Sequence, residues 1–294
     1  EDAPLRSGIS AIELESGRKT LLLAIEKVVN DDRDAMEGAN HYLTHLVLSP
    51  DARRLAFLHR YRVADGGEIT RLCTVSVDGT GLRCLARGFL SHFDWLDNQR
   101  ILMWGRSGKK IDGMRSKFGG GALARLLPSI KKVARIILGR TSVLRASFFV
   151  VEDVVNSPIV PFAHGLLTVD GHPMVCPADR SWMVLDDYPS PSGIRTLMLC
   201  HWHDESIIEI GHFRKLDASP RYADALGAYQ SLAEHVRYNF GLEQFAYTRS
   251  GIHCDLHPRW DRVGRYVAFD SIHEGTRQLY AVDVSGLTGK HQDE

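Results

Sequence analysis

At 294 residues, with Lys+Arg and Asp+Glu balanced at 36 each, the chain carries no net charge that would steer it onto nucleic acid. A composition that is 44% hydrophobic and 24% charged is that of a folded globular protein and excludes intrinsic disorder. Its longer apolar runs, such as Ser147 to Val151 and Ile159 to Phe162, are far too short to span a bilayer, so no transmembrane segment is expected.

The chain begins at Glu1 without a Met, a basic leader or a signal-like apolar run, so residues are expected to precede it and a signal peptide among them stays open. The five cysteines, at 73, 84, 176, 200 and 254, form neither a disulfide framework nor a CxxC zinc motif. Cys73 and Cys84 are placed to face each other across a hairpin, but buried free thiols are the expectation, in a reducing, cytoplasmic compartment.

In chain order the first unit is Ile12 to Leu23, a strand–turn–strand pattern matched by Val75 to Leu85 and by Leu279 to Leu287, with a looser copy over Leu197 to Ile210. A second pattern alternates with it, four segments that each open on a histidine. They read His45-Leu-Val-Leu-Ser-Pro-Asp-Ala-Arg-Arg-Leu-Ala-Phe, His92-Phe-Asp-Trp-Leu-Asp-Asn-Gln-Arg-Ile-Leu-Met-Trp, His172-Pro-Met-Val-Cys-Pro-Ala-Asp-Arg-Ser-Trp-Met-Val and His257-Pro-Arg-Trp-Asp-Arg-Val-Gly-Arg-Tyr-Val-Ala-Phe. A short apolar strand, a turn bearing Asp, Asn or Gly, and a second apolar strand make a β-hairpin.

Two hairpins in tandem are the four-stranded blade of a β-propeller, so the fold class is all-β. Residues 8–30 supply only the outer pair of a blade, and full blades are expected at 41–90, 91–170, 171–215 and 251–290. That is roughly four and a half blades, whereas closed rings have about four to eight. The chain is therefore expected to be one propeller domain over 1–294, truncated at its N-terminus, with six or seven blades when intact. Two largely helical insertions are expected, at 107–145 and 216–245.

The innermost strand of a propeller blade lines the central channel, and His45, His92, His172 and His257 occupy its first position in four blades. Either they converge on a ligand, as imidazoles that bind a divalent metal do, or each is a structural residue repeated by descent and bonded to a neighbouring carbonyl. His41, His253, Asp255 and Glu274 fall beside the same blade entrances. Arg60, Arg106 and Arg195 follow the inner hairpins, while Asp186, Asp187 and Asp270 end them, with His273 close by. The arginines are placed either to grip a substrate carboxylate or to pair with those acids. From Arg106 to Arg145 eleven basic residues stand against Asp112 alone, a patch suited to a polyanion, an anionic membrane surface or a protein partner, or simply a solvated face.

The hairpin pattern resembles the TolB-like propeller repeats. His257-Pro-Arg-Trp, Val267-Ala-Phe-Asp-Ser and Gly275-Thr-Arg-Gln-Leu-Tyr-Ala-Val-Asp resemble the oligogalacturonate lyase branch of them. That resemblance implies a lyase of pectin catabolism that holds Mn²⁺ with histidines and cleaves acidic oligosaccharides by β-elimination. It implies His172 and His257 as metal ligands, His92 as ligand or base, and Arg60 as the residue that orients the uronate carboxylate. His45, a fourth blade-entrance histidine, and Asp255, a carboxylate where the family has histidine, are added to the expected ligands as departures from its pattern. Arg106, Arg195, Asp187 and His273 would line the substrate. The family's Gln-x-x-His-x-His cluster stands here as Ile252, Asp255 and His257, so one histidine becomes a carboxylate and the glutamine is lost. The competing expectations are a non-catalytic TolB- or WD40-like scaffold that docks a protein through 107–145, and a hydrolase on the same metal ring.

Overall fold

The computed structural model describes residues 5–31, 40–62, 68–107, 146–163, 165–190, 193–214, 230 and 254–289. Apart from Ser107, which ends a strand, and Gln230, the two expected insertions lie outside the described residues. The chain divides into two compact units, Glu1–Thr168 and Val169–Glu294. Both are built from antiparallel strands that pair with their neighbours in sequence.

The first unit opens with β1 (Gly8–Ile12) and β2 (Lys19–Ala24), a two-stranded hairpin, followed by a short helix α1 (Ile25–Asn30) that strand periodicity did not announce. The helix is held by tertiary contacts: Val28 and Ile25 are buried, and the Arg71 guanidinium donates to the Val28 carbonyl and to Asp31. A continuous seven-stranded meander follows: β3 (Asn40–Leu48), β4 (Arg54–Arg62), β5 (Glu68–Ser76), β6 (Arg83–Trp95), β7 (Arg100–Ser107), β8 (Ser147–Glu152) and β9 (Val160–Pro161). The long β6 pairs with β5 through its first half and with β7 through its second, so one strand links two successive four-stranded sets.

Alternation along β4 and β5 explains the packing, because successive side chains of a strand point to opposite faces. Leu55, Phe57, Cys73 and Val75 join Ile9, Leu23 and Val28 in one cluster. Ala56, Leu58 and Leu72 join Leu90, Phe93, Trp95, Ile101 and Met103 in another. β4 and β5 are thus buried on both faces, each large apolar side chain contributing about 1.5–3 kcal/mol. Asp153, 7% exposed, receives Arg54 and Arg83, each at 2.7 Å, and the Thr74 hydroxyl.

The second unit holds a four-stranded sheet, β10 (Met174–Val175), β11 (Trp182–Asp186), β12 (Ile194–His201) and β13 (Ser206–Arg214). A three-stranded sheet follows, β14 (Arg259–Trp260), β15 (Tyr266–Ser271) and β16 (Gln278–Asp283). They share one core, in which Cys176, Val184, Leu197 and Leu199 meet Leu256, Trp260, Val267 and Phe269.

The repeat read in the sequence has a common chemistry in both units. Each histidine-led hairpin is closed by an aspartate side chain that accepts backbone N–H groups: Asp51 from Arg53, Asp97 from Gln99 and Arg100, Asp179 from Ser181, and Asp261 from Arg265 and Tyr266. Consecutive hairpins are also joined by the same bond. The Trp95 indole N–H donates to the Val47 carbonyl at 3.1 Å, and the Trp260 indole N–H donates to the Met174 carbonyl at 3.2 Å. No helix among the described residues is long and apolar enough to cross a membrane.

Trp95→Phe keeps an aromatic ring in the core but removes the indole donor and trims a fully buried side chain. It should cost about 1–3 kcal/mol in urea unfolding, because the Val47 carbonyl loses its partner. His59 on β4 gives a pH dependence. The side chain is fully buried, and desolvation, Arg71, His41 and Arg87 push its pKa down to about 3. The unfolded state then binds a proton that the native state refuses, so stability is complete above about pH 6.5 and falls as the pH drops toward 3. His59→Gln should flatten the urea midpoint against pH across that window.

Candidate metal centre

Each unit brings one pair of the repeat histidines together. In the first, the His45 and His92 rings meet edge-on with centroids 5.6 Å apart. His45 and Leu46 fall in the register irregularity between Thr44 and Val47, Ser91 and His92 in the one between Leu90 and Phe93. Bulges of this kind re-aim side chains off the regular pleat, which sets both rings at the same offset in their hairpins. His92 is half-buried with Nδ1 3.1 Å from the Ser91 hydroxyl, and His45 is exposed.

In the second unit the His172 and His257 rings lie closer, 3.8 Å between centroids. Each stands two residues before its inner strand, as His172-Pro173-Met174 and His257-Pro258-Arg259. His45 and His257 both adopt positive φ, 55° and 41°, a conformation that a non-glycine residue holds only where its surroundings enforce it.

The enforcing group beside His257 is Asp186, at the end of β11. Its Oδ1 accepts the His172 backbone N–H at 2.6 Å and lies 2.9 Å from His172 Nδ1. Its Oδ2 lies 3.0 Å from the same Nδ1 and accepts the His257 backbone N–H at 3.1 Å. One carboxylate, 1% exposed, therefore fixes the backbone at both histidines and orients one ring. With Nδ1 of His172 turned to Asp186, Nε2 is the candidate ligand atom of the ring.

Asp255 completes the set: one donor atom from each of His172, Asp255 and His257 falls within 4.8 Å of the others. Asp255 and Arg195 are 8% and 2% exposed and form an ion pair at 2.8 Å through Asp255 Oδ1. Among the described residues of the site, two buried carboxylates, Asp186 and Asp255, stand with one buried guanidinium, that of Arg195. Partial burial and the neighbouring His172 ring lower the His257 pKa, keeping its lone pair available. Tyr188 lies beside His172, with centroids 5.7 Å apart. Burial, then the Asp255, Asp170 and Asp186 carboxylates, hold its phenol in the protonated form.

The other residues singled out in the sequence are distributed as follows. Arg60 lies half-buried on β4 opposite Tyr42 and Thr70, and Arg106 on β7 stacks over the Phe89 ring at 5.5 Å. Asp187 accepts the Thr196 backbone N–H at 2.6 Å, and burial raises its pKa. His273 is exposed, with Nδ1 2.8 Å from the Ser271 hydroxyl and its ring against Tyr280. Asp270 pairs with Arg277, Glu274 accepts the Tyr280 hydroxyl, and His41 Nδ1 stands 3.0 Å from His59 Nε2. His253 lies outside the described residues. Sequence reasoning placed Asp186 at its strand end but not as the group that holds both histidines. The signal for it is that a buried acid on an otherwise apolar strand requires donors.

No family model matches this chain, and no curated protein is similar to it in sequence. Solved structures are similar to it at low identity. A TolB protein from Agrobacterium tumefaciens is 9% identical with a TM-score of 0.42, over 84% of this chain and 60% of that one. An oligogalacturonate lyase in complex with manganese is 10% identical with a TM-score of 0.45, over 93% and 70%. The β-propeller domain of the Trilobed protease from Pyrococcus furiosus is 9% identical with a TM-score of 0.39, over 93% and 71%. The chain thus spans less than two thirds of the first of these proteins.

Gly171 allows the close approach on which the site rests, since a Cβ there would stand 1.8 Å from the Asp186 carbonyl oxygen. Gly171→Ala should cost about 2 kcal/mol in urea unfolding, because the backbone at His172 must move off Asp186.

Proposed function

We propose that His172, Asp255 and His257 hold a divalent metal ion in a β-propeller, and that the protein acts on an acidic oligosaccharide. The observation that carries this is the Asp186 carboxylate bonded to Nδ1 of His172, the carboxylate–histidine arrangement that fixes a metal-binding imidazole. The donor set fits such an ion. Two imidazoles and a carboxylate suit first-row divalent metals, and among the described residues of the site two buried carboxylates stand with one buried guanidinium. Manganese is the ion implied by the resemblance to oligogalacturonate lyases.

A bound divalent ion would supply Lewis-acid polarisation of a uronate carboxylate, the activation that β-elimination of an acidic sugar requires. The protein's own residues set the conditions for it. Asp186 orients the His172 imidazole and holds the His257 backbone, Arg195 pairs with Asp255 on the buried side, and His257 is the solvent-facing member that leaves the site accessible to a ligand.

Elemental analysis of the purified protein should find one divalent metal per chain, absent from a His172→Ala, His257→Ala double variant that remains folded by circular dichroism. Asp186→Asn should lower metal affinity about 10- to 100-fold in competition with a chelator. A folded wild-type protein that binds no divalent metal overturns the proposal and leaves a non-catalytic scaffold. If metal binds, oligogalacturonate should yield the ultraviolet absorbance of an unsaturated uronate. Metal without that product retains the site and rejects the lyase reaction.

A further inference from the structure

Away from the metal centre, the first unit holds two cysteines that chain pairing sets face to face. Cys73 on β5 and Cys84 on β6 are register partners, and among the described strand pairs no other cysteine stands opposite a cysteine. The register shifts between Leu72 and Cys73, and from there Cys73 pairs with Cys84 and Thr74 with Arg83. Paired residues of an antiparallel ladder have Cα atoms about 4.5–5.5 Å apart, inside the range of about 4.4–6.8 Å that a disulfide spans. Neither cysteine is in a disulfide, and the Cys84 thiol donates to the Ala86 carbonyl at 3.8 Å.

The two sulfurs have different surroundings. Cys73 is fully buried among Phe57, Leu23 and Val75, and the Cys84 thiol beside it, together with burial, raises its pKa well above that of an ordinary thiol. Cys84 is half-buried and receives the Arg71 Nε–H at 3.2 Å. That guanidinium is 1% exposed and is fixed by the Val28 carbonyl and by Asp31, both at the end of α1, so its charge is held against the Cys84 sulfur. A cation beside a partly accessible sulfur is the environment of a reactive cysteine, and a second thiol in bonding range is a resolving one. Cys176, Cys200 and Cys254 are all buried, and burial pushes the Cys200 thiol up to about 12.

We propose that Cys73 and Cys84 form a peroxide-responsive disulfide site, with Cys84 the sulfur oxidised first and Cys73 the resolving thiol. In the first step Cys84 sulfur attacks hydrogen peroxide: the O–O bond breaks, an S–O bond forms, and one water leaves, giving the sulfenic acid. In the second step the Cys73 sulfur attacks the Cys84 sulfur: the S–S bond forms, the S–O bond breaks, and the hydroxyl leaves with the Cys73 proton as a second water. Two thiols are oxidised and one peroxide is reduced. The register already in place lets this happen without re-pairing β5 and β6.

The test is to treat the reduced full-length chain with near-stoichiometric hydrogen peroxide, alkylate what remains, and map peptides by mass spectrometry. The five free thiols should fall to three, with a Cys73–Cys84 cross-link that dithiothreitol reverses. The thermal midpoint should rise by about 5 °C on oxidation. Cys73→Ser should let Cys84 pass on to sulfinic acid, and Cys84→Ser should leave no cross-link. Five thiols remaining free overturns the proposal. So does a cross-link to any other cysteine, or a wild-type Cys84 carried to sulfinic acid while Cys73 stays a thiol.

Discussion

The bond from an indole N–H to the carbonyl of the preceding hairpin sets the geometry of each unit. Trp95 reaches Val47 and Trp260 reaches Met174, and in both cases the tryptophan stands three residues after a repeat histidine and its acceptor two residues after the previous one. A buried indole donor needs a partner, and in each unit it finds the first strand of the neighbouring hairpin. That fixes two inner strands side by side at one offset. The histidines that precede them are brought together as a consequence, at 5.6 Å in one unit and 3.8 Å in the other. Ring proximity is then a product of packing, and the chemistry depends on what surrounds each pair.

Those surroundings differ between the two units. His45 and His92 sit in bulges, one exposed and one half-buried. His172 and His257 are bound to Asp186, and Asp255 and Arg195 add a buried ion pair beside them. Buried carboxylates are retained only when donors or cations balance them, so the second pair carries an electrostatic demand that the described surroundings of the first do not show. The first unit has its own buried acid, Asp153, but two arginines and a threonine satisfy it in full view of the core, and it holds strands rather than ligands.

Much of this was legible in the sequence. The four histidine-led hairpins, their aspartate turns and the alternation on β4 and β5 all follow from local pattern, because a hairpin is closed by its own residues. The all-β class and the pairing of successive strands came with them. The helix α1 did not, since its six residues are held by Arg71, forty-odd positions away, rather than by propensity. Arg195 was open between gripping a substrate and pairing with an acid, and in the fold its partner is Asp255, sixty residues on. Asp186 was visible only as a strand end. Its role depends on His257, seventy-one residues further along, and no local pattern encodes that distance.

The ladder between β7 and β8 has a consequence for how such a protein changes over time. Pairing runs without a break from Arg100 opposite Glu152 to Gly105 opposite Ser147, so the chain leaves this ladder and returns to the same rung after a long excursion. The entropy of closing a loop grows only with the logarithm of its length, about 0.6 kcal/mol for each doubling. A segment added or exchanged at this point is therefore nearly free of thermodynamic penalty, provided that the rung at Gly105 and Ser147 is kept. The hairpin works as a socket, in which new sequence can be tried without disturbing the register below it.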